Sequence, residues 1–301
     1  MKKTILFLLK ILLLTIILFV CMAASSILMG MGQTFSSSSS DVMPVLMYSL
    51  LVYSLLNVLI LTVWIENSRL RGIRLAVVCF TVFWGVQYFM TQIETLFFNS
   101  AVKMPVSEVF RVSSSGALYT AVFSMLAVWI LGKFKKENAR NEITGEKAAR
   151  FALLPNLAVL TLTYVVIYFL FGYFVAWQFP VIRQFYTGST QIVNFFQHMA
   201  GQSPFLILFQ LFRGILWALL ALLILNSLKV KNRASYLIPG LLFSILISAP
   251  LLLPNAYMPD AVRFGHTIEL FSSMLTYGIL SVPILKKRSS GSSKINALSQ
   301  G

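Results

Sequence analysis

The stretch FLILFQLFRGILWALLALLIL, Phe205 to Leu225, decides the fold class. A helix that crosses the hydrocarbon core of a bilayer needs roughly 20 mostly apolar residues, and this run supplies them with two long polar side chains, Gln210 and Arg213. Together with Trp217 these lie at steps of three and four, on one face of a helix. An isolated guanidinium in lipid is costly, so that face turns inward, toward a partner or a water-filled space.

Seven further runs of this kind flank it: Thr4–Ile27, Val45–Ile65, Leu75–Phe98, Leu118–Leu131, Leu157–Trp177, Tyr236–Leu253 and Val262–Leu285. The fourth is short as drawn and is extended back to about Ser113, because Ser and Gly are tolerated where helices pack. The chain as a whole is 58% hydrophobic and 11% charged, with a mean hydropathy of +0.82. Soluble domains carry about 25% charged residues, so a water-soluble enzyme, a disordered chain and a coiled coil are excluded. The expected fold is all-α: a polytopic transmembrane bundle of about eight helices over residues 1–288, followed by a polar tail at 289–301.

The net charge of +15 invites a nucleic-acid reading, but the placement of the charges argues for membrane topology and against that partner. Of the 24 Lys and Arg, 18 fall in alternate connections: Lys2 and Lys3, Arg69 to Arg74, Lys133 to Arg150, Lys229 to Arg233, and Lys286 to Lys294. The other connections hold Lys103, Arg111, Arg183 and Arg263. Cytoplasmic loops carry the Lys/Arg excess. Both termini are therefore expected in the cytoplasm and the number of spans is expected to be even. Met1-Lys2-Lys3 before an apolar run that ends at Ala23-Ala24-Ser25 has the form of a secretory leader. The length of the run and its interruption by Lys10 favour a retained anchor. Cleavage would leave seven spans in the same orientation.

The connections leave little room for a soluble domain. Residues 32–44 contain five consecutive serines, Ser36 to Ser40, and read as a flexible link. Within 178–204, Ser189-Thr190 is a candidate cap. Ile192, Phe195 or Phe196, and Met199 follow at helical spacing, so an amphipathic helix over about 190–200 is expected in the outer interface, with His198 solvated. The ladder Tyr236, Gly240, Ser244, Ser248 reads as a close-packing face, and Pro250 and Pro254 end its helix. Cys21 and Cys79 lie at different depths and are not expected to pair.

Familiar catalytic signatures are missing. The sequence has no Walker loop, no HExxH and no CxxC, and its two aspartates, Asp41 and Asp260, fall in loops. Two histidines are too few for a His-rich zinc site. Ser113-Ser114-Ser115-Gly116 has the look of a rhomboid serine motif, but His266 lies four helices on instead of two. No metal and no cofactor is assigned.

What remains are polar stripes inside apolar runs. Gln87, Thr91 and Glu94 share one face of the third run. Gln210, Arg213 and Trp217 share a face of the sixth. Arg263, His266 and Glu269, continued by Ser273 and Thr276, stripe the eighth. At about 1.5 Å per residue, Glu94, Arg213, His266 and Glu269 all fall in the outer half of the membrane. A polar pocket formed by Glu94, Gln87, Gln210, Arg213, Arg263, His266 and Glu269 is expected, with Arg213 paired to Glu94 or Glu269 and Arg263 closing it from the water side.

Phe209 to Trp217, Leu252 to Pro259, Val262 to Glu269 and Ser272-Ser273 together resemble a group of bacterial polytopic membrane proteins without an assigned activity. The resemblance covers mainly the last third of the chain and implies a bacterial inner membrane. Three functions fit these residues: proton-linked handling or transport of a small molecule or lipid, an intramembrane enzyme acting on a lipid-linked group, and a scaffold or sensor whose charge cluster is architectural. The expected partners are the bilayer and a small-molecule or lipid ligand.

Overall fold

A computed structural model describes residues 2–30, 42–134, 153–192, 195, 201, 204–229 and 236–286. The described residues are helical or irregular, with one isolated β-bridge, Ser68 to Leu228. In chain order the helices of eight or more residues are α1 (Lys2–Leu28), α2 (Val42–Glu66), α3 (Gly72–Phe97), α4 (Val106–Ile130), α5 (Leu153–Phe174), α6 (Pro180–Thr187), α7 (Leu206–Ser227), α8 (Leu237–Ser248) and α9 (Asp260–Lys286). Seven of them, all but α6 and α8, are long and apolar enough to cross a membrane.

The seventh expected run, Tyr236–Leu253, is shorter. It is α-helical to Ser248 and then tightens into a 3-10 turn, Ala249–Leu252, where Pro250 removes a backbone donor. The fourth run is longer than expected and begins at Val106, directly after Pro105. Its polar first turns are held by a 3.1 Å Glu108–Arg111 pair, and Ser115 bonds Ser25 of α1 at 3.0 Å. Hydropathy alone hides such a start, because its polar side chains are used between helices. The short α6 was not expected. Of the predicted interfacial helix, 190–192 is irregular, and most of 190–200, His198 included, lies outside the described residues. So do the serine run and the 289–301 tail.

Helix neighbours follow a closed circuit, α3–α4–α1–α2–α8–α9–α5–α7 and back to α3. The tightest contact joins α8 and α9. A Cβ added at Gly278 would lie 2.5 Å from the Gly240 Cα, so only paired glycines allow this approach. Gly214 likewise brings α7 against the Thr161 carbonyl of α5, with 2.9 Å to an added Cβ. Small residues at helix crossings are the expected device where lipid removes the hydrophobic drive for helices to associate. The surface polarity is inverted relative to a soluble protein: on α7, Leu208 is 63% exposed whereas Arg213 is 1% exposed.

One end of the bundle gathers the basic loops and is closed by hydrogen bonds. The Arg69 amide donates to the Ser227 carbonyl at 2.7 Å, the Lys229 amide to Asn67 at 2.9 Å, and Trp64 Nε1 to Ser227 Oγ at 2.8 Å. Lys133 Nζ reaches both the carbonyl and the carboxylate of Glu66. The cavity described next lies toward the opposite end.

Candidate functional site

The last turns of α3 carry Thr91, Glu94 and Thr95 along one helical face. On α7, Arg213 faces them. The guanidinium meets the Glu94 carboxylate in a two-pronged pair, Nη1 to Oε1 and Nη2 to Oε2, each at 2.7 Å. Planar fork geometry of this kind suits Arg and gives the strong class of charge-assisted hydrogen bond. Phe209 stacks on Phe97 with ring centroids 4.0 Å apart, locking α7 to α3 beside the pair. The rings of Tyr164 and Phe209 lie 5.8 and 5.7 Å from the guanidinium carbon. Arg213 Nη1 also donates to Gln210 Oε1 at 3.2 Å, while Arg213 Nε and Gln210 Nε2 have no partner. The side chain of Arg213 is 2% exposed and that of Glu94 26%.

On α9, His266 and Glu269 lie one turn apart. His266 Nδ1 is 3.5 Å from Glu269 Oε2, and His266 Nε2 is 3.3 Å from the Tyr186 hydroxyl on α6. A neutral imidazole donates from one ring nitrogen and accepts at the other. Tyr186, His266 and Glu269 thus form a continuous polar chain. Burial, reinforced by the Glu94 and Glu269 carboxylates, pushes the Tyr186 phenol above its usual range. The approach of α6 to α9 depends on Gly265, where an added Cβ would lie 2.8 Å from Ile182 and 3.2 Å from Phe179.

Glu94, Arg213, His266 and Glu269 all line one cavity of about 220 Å³. Ser273 of α9 lines it as well. Much of the remaining wall is aromatic, with Tyr164, Tyr168, Trp177, Tyr186 and Trp217 among its residues. The segment from Ala176 to Thr187 forms part of the wall, and buried Arg183 braces that segment by donating to the Trp177 and Thr190 carbonyls.

Two expected pocket residues lie elsewhere, and a third backs the wall. Gln87 sits within a π turn, Gly85–Phe89, and about 10 Å along the axis from Glu94 at 1.5 Å per residue. The wider turn breaks the regular helical register assumed for the stripe. Gln87 instead accepts from Tyr53 at 2.6 Å and Tyr119 at 3.3 Å, and donates to the Leu246 carbonyl at 2.9 Å and to Asn57 at 3.3 Å. Arg263 does not close the cavity. It pairs with Asp260 at 2.7 Å and donates to the Leu251 and Met258 carbonyls, fastening the α8–α9 connection. Gln210 supports Arg213 and accepts from Tyr164 at 3.3 Å behind the lining.

Sequence reasoning missed Tyr164, Tyr168 and Tyr186. The first two were within reach, because Tyr164, Tyr168 and Gly172 recur at steps of four in an aliphatic run and all line the cavity. Tyr186 carries no comparable signal. Among the described residues no group of three His, Cys, Asp or Glu side chains is placed to hold a metal ion. No protein-family model, curated protein or solved structure matches the chain.

Proposed function

We propose that this chain is an eight-span protein of the bacterial inner membrane, with both termini in the cytoplasm. Its cavity faces the outer half of the bilayer and takes up a small molecule or a lipid headgroup for proton-linked handling or transport. The eight-span count rests on Leu237–Leu252, which measures about 26 Å as an α-helix ending in a 3-10 turn. That is close to the hydrocarbon thickness of about 30 Å, and the segment fills a place in the helix circuit between α2 and α9. The orientation rests on the Lys/Arg-rich end lying in the cytoplasm.

The observation that carries the function is the shared cavity. A purely architectural ion pair needs no space around it, yet Glu94, Arg213, His266 and Glu269 border about 220 Å³ of room. Intramembrane ionisable residues that line such a space are the usual components of substrate and proton paths. The test is side-specific thiol labelling. With Cys21 and Cys79 replaced by Ala, Ser273→Cys is expected to react with a membrane-impermeant methanethiosulfonate added to the outer face of spheroplasts. Labelling solely from the cytoplasmic face, or none at all, refutes a cavity open to the outside.

The Tyr186–His266–Glu269 chain favours a second reading, an enzyme that moves a proton at a lipid-linked substrate. Under that reading His266→Ala abolishes turnover and spares binding. Under the first, it uncouples movement of the ligand from the proton gradient.

A further inference from the structure

We propose that the cavity selects a small organic cation, a quaternary or protonated amine with a compact apolar body. This rests on the binding-cavity reading above and names its ligand class. The first argument is a charge count over the described lining residues. Glu94 and Arg213 neutralise one another through two 2.7 Å bonds. Among the described residues Glu269 has no such cation; it meets His266 at 3.5 Å. The other buried arginines near this end are engaged elsewhere, Arg263 with Asp260 and Arg183 with two backbone carbonyls. Besides the imidazole, the described lining thus holds two carboxylates and a single guanidinium.

The second argument is independent of charge. Tyr168, Trp177, Tyr186 and Trp217 line the same cavity as the Glu269 carboxylate. An aromatic wall attracts a cation through the negative faces of its rings, and such cages are the common means of holding quaternary ammonium groups. One face of Tyr164 is already covered by Arg213, an internal example of the same contact. An anion would meet both the carboxylate and the ring faces. The third argument is size. The cavity of about 220 Å³ is smaller than the roughly 300–1,000 Å³ usual for drug-sized ligands, which suits a compact cation better than a nucleotide or a whole lipid.

The full chain in nanodiscs is titrated with choline, tetramethylammonium and tetraethylammonium, with the neutral isostere 3,3-dimethylbutan-1-ol, and with the anionic isostere 3,3-dimethylbutanoate. Tryptophan fluorescence is the readout, because Trp177 and Trp217 line the cavity. At least one cation is expected to bind tenfold or more tighter than either isostere. Glu269→Gln is expected to lower the affinity of that cation at least tenfold while changing the alcohol less than twofold. Tyr168→Leu, which removes a ring and keeps the charge, is expected to weaken the cation threefold or more, so the inference does not hang on one variant folding. Equal affinities, preference for the anion, or no cation binding overturns the inference. If Ser273→Cys is labelled from the outer face of spheroplasts, the open cavity stands although its proposed ligand class has failed. If labelling fails too, both readings fall.

Discussion

Removing the Glu94 carboxylate strands a guanidinium that has almost no access to water. Arg213 is 2% exposed at its side chain, and its two strongest bonds both end on Glu94. Charge-assisted hydrogen bonds contribute about 1.5–3 kcal/mol each. Breaking one side of a buried pair typically costs about 3–5 kcal/mol. Glu94→Ala is therefore expected to destabilise the protein by about 3–5 kcal/mol, and Glu94→Gln, whose amide oxygen keeps one acceptor, by about 2–3 kcal/mol. The reverse change is milder. Arg213→Met leaves a carboxylate that is 26% exposed and can draw on water, and it fills the vacated space with an apolar chain. Its expected cost is about 1–2 kcal/mol. The double variant should be no less stable than Glu94→Ala alone, because the stranded charge has gone. Steric-trap unfolding in bicelles gives all four corners of the cycle. If the two single effects add to within about 0.5 kcal/mol, the residues do not interact and the charge count behind the cavity collapses.

Gly278→Ala places a methyl 2.5 Å from the Gly240 Cα and 2.6 Å from the Pro239 carbonyl. The α8–α9 contact must open, at an expected cost of about 1–3 kcal/mol in the same unfolding assay. Gln87→Leu strips acceptors or donors from Tyr53, Asn57 and the Leu246 carbonyl and is expected to cost at least about 2 kcal/mol. Outside labelling of Ser273→Cys should be unchanged by it, since Gln87 does not line the cavity. Tyr186→Phe removes the hydroxyl that meets His266 and is expected to lower stability by about 0.5–1.5 kcal/mol. It should also speed hydrogen exchange of the α6 amides relative to those of α9.

The sequence made α7 legible because one guanidinium in a run of Leu and Ile has few places to go. The same logic brought Glu94, His266 and Glu269 toward it, and all four line one cavity. It failed at Gln87 because the sequence carries no visible mark of the π turn at Gly85–Phe89, and one wide turn is enough to void a face assignment made at 100° per residue. It failed at Arg263 for a different reason. Helical spacing fixes which face a residue occupies but not whether its side chain runs inward or back along the helix to the Leu251 and Met258 carbonyls. The onset of α4 was obscured because Ser25 and Ser115 satisfy each other across a helix contact, which hydropathy reads as solvent. The 176–190 segment of the cavity wall was the least legible part. Arg183 looked like an ordinary loop charge, yet its value lies in backbone carbonyls that only the folded 176–190 segment presents.

The polar groups of α3 separate into two kinds, and the contrast argues for what the cavity does. At the π turn, Gln87 uses both its oxygen and its nitrogen, the hydroxyls of Tyr53, Tyr88 and Tyr119 bond in series, and the Tyr88 ring fills the space over Gly116. A network closed in this way fixes the position of helices and leaves nothing for a visitor to bond. Two turns further along, where α7 and α9 face α3, Arg213 keeps Nε unpartnered, Gln210 keeps Nε2 unpartnered, and Glu269 meets His266 at 3.5 Å but no Lys or Arg among the described residues. Buried polar atoms without partners are costly, and here several gather at or just behind the wall of one space. The basic end is meanwhile cross-bonded through Ser68, Ser227 and Lys229. The closed networks thus lie away from the hollow, and the unpartnered Arg213 Nε and Gln210 Nε2 lie beside it. A ligand that supplies a positive charge and apolar surface to that hollow would provide what the protein itself leaves out.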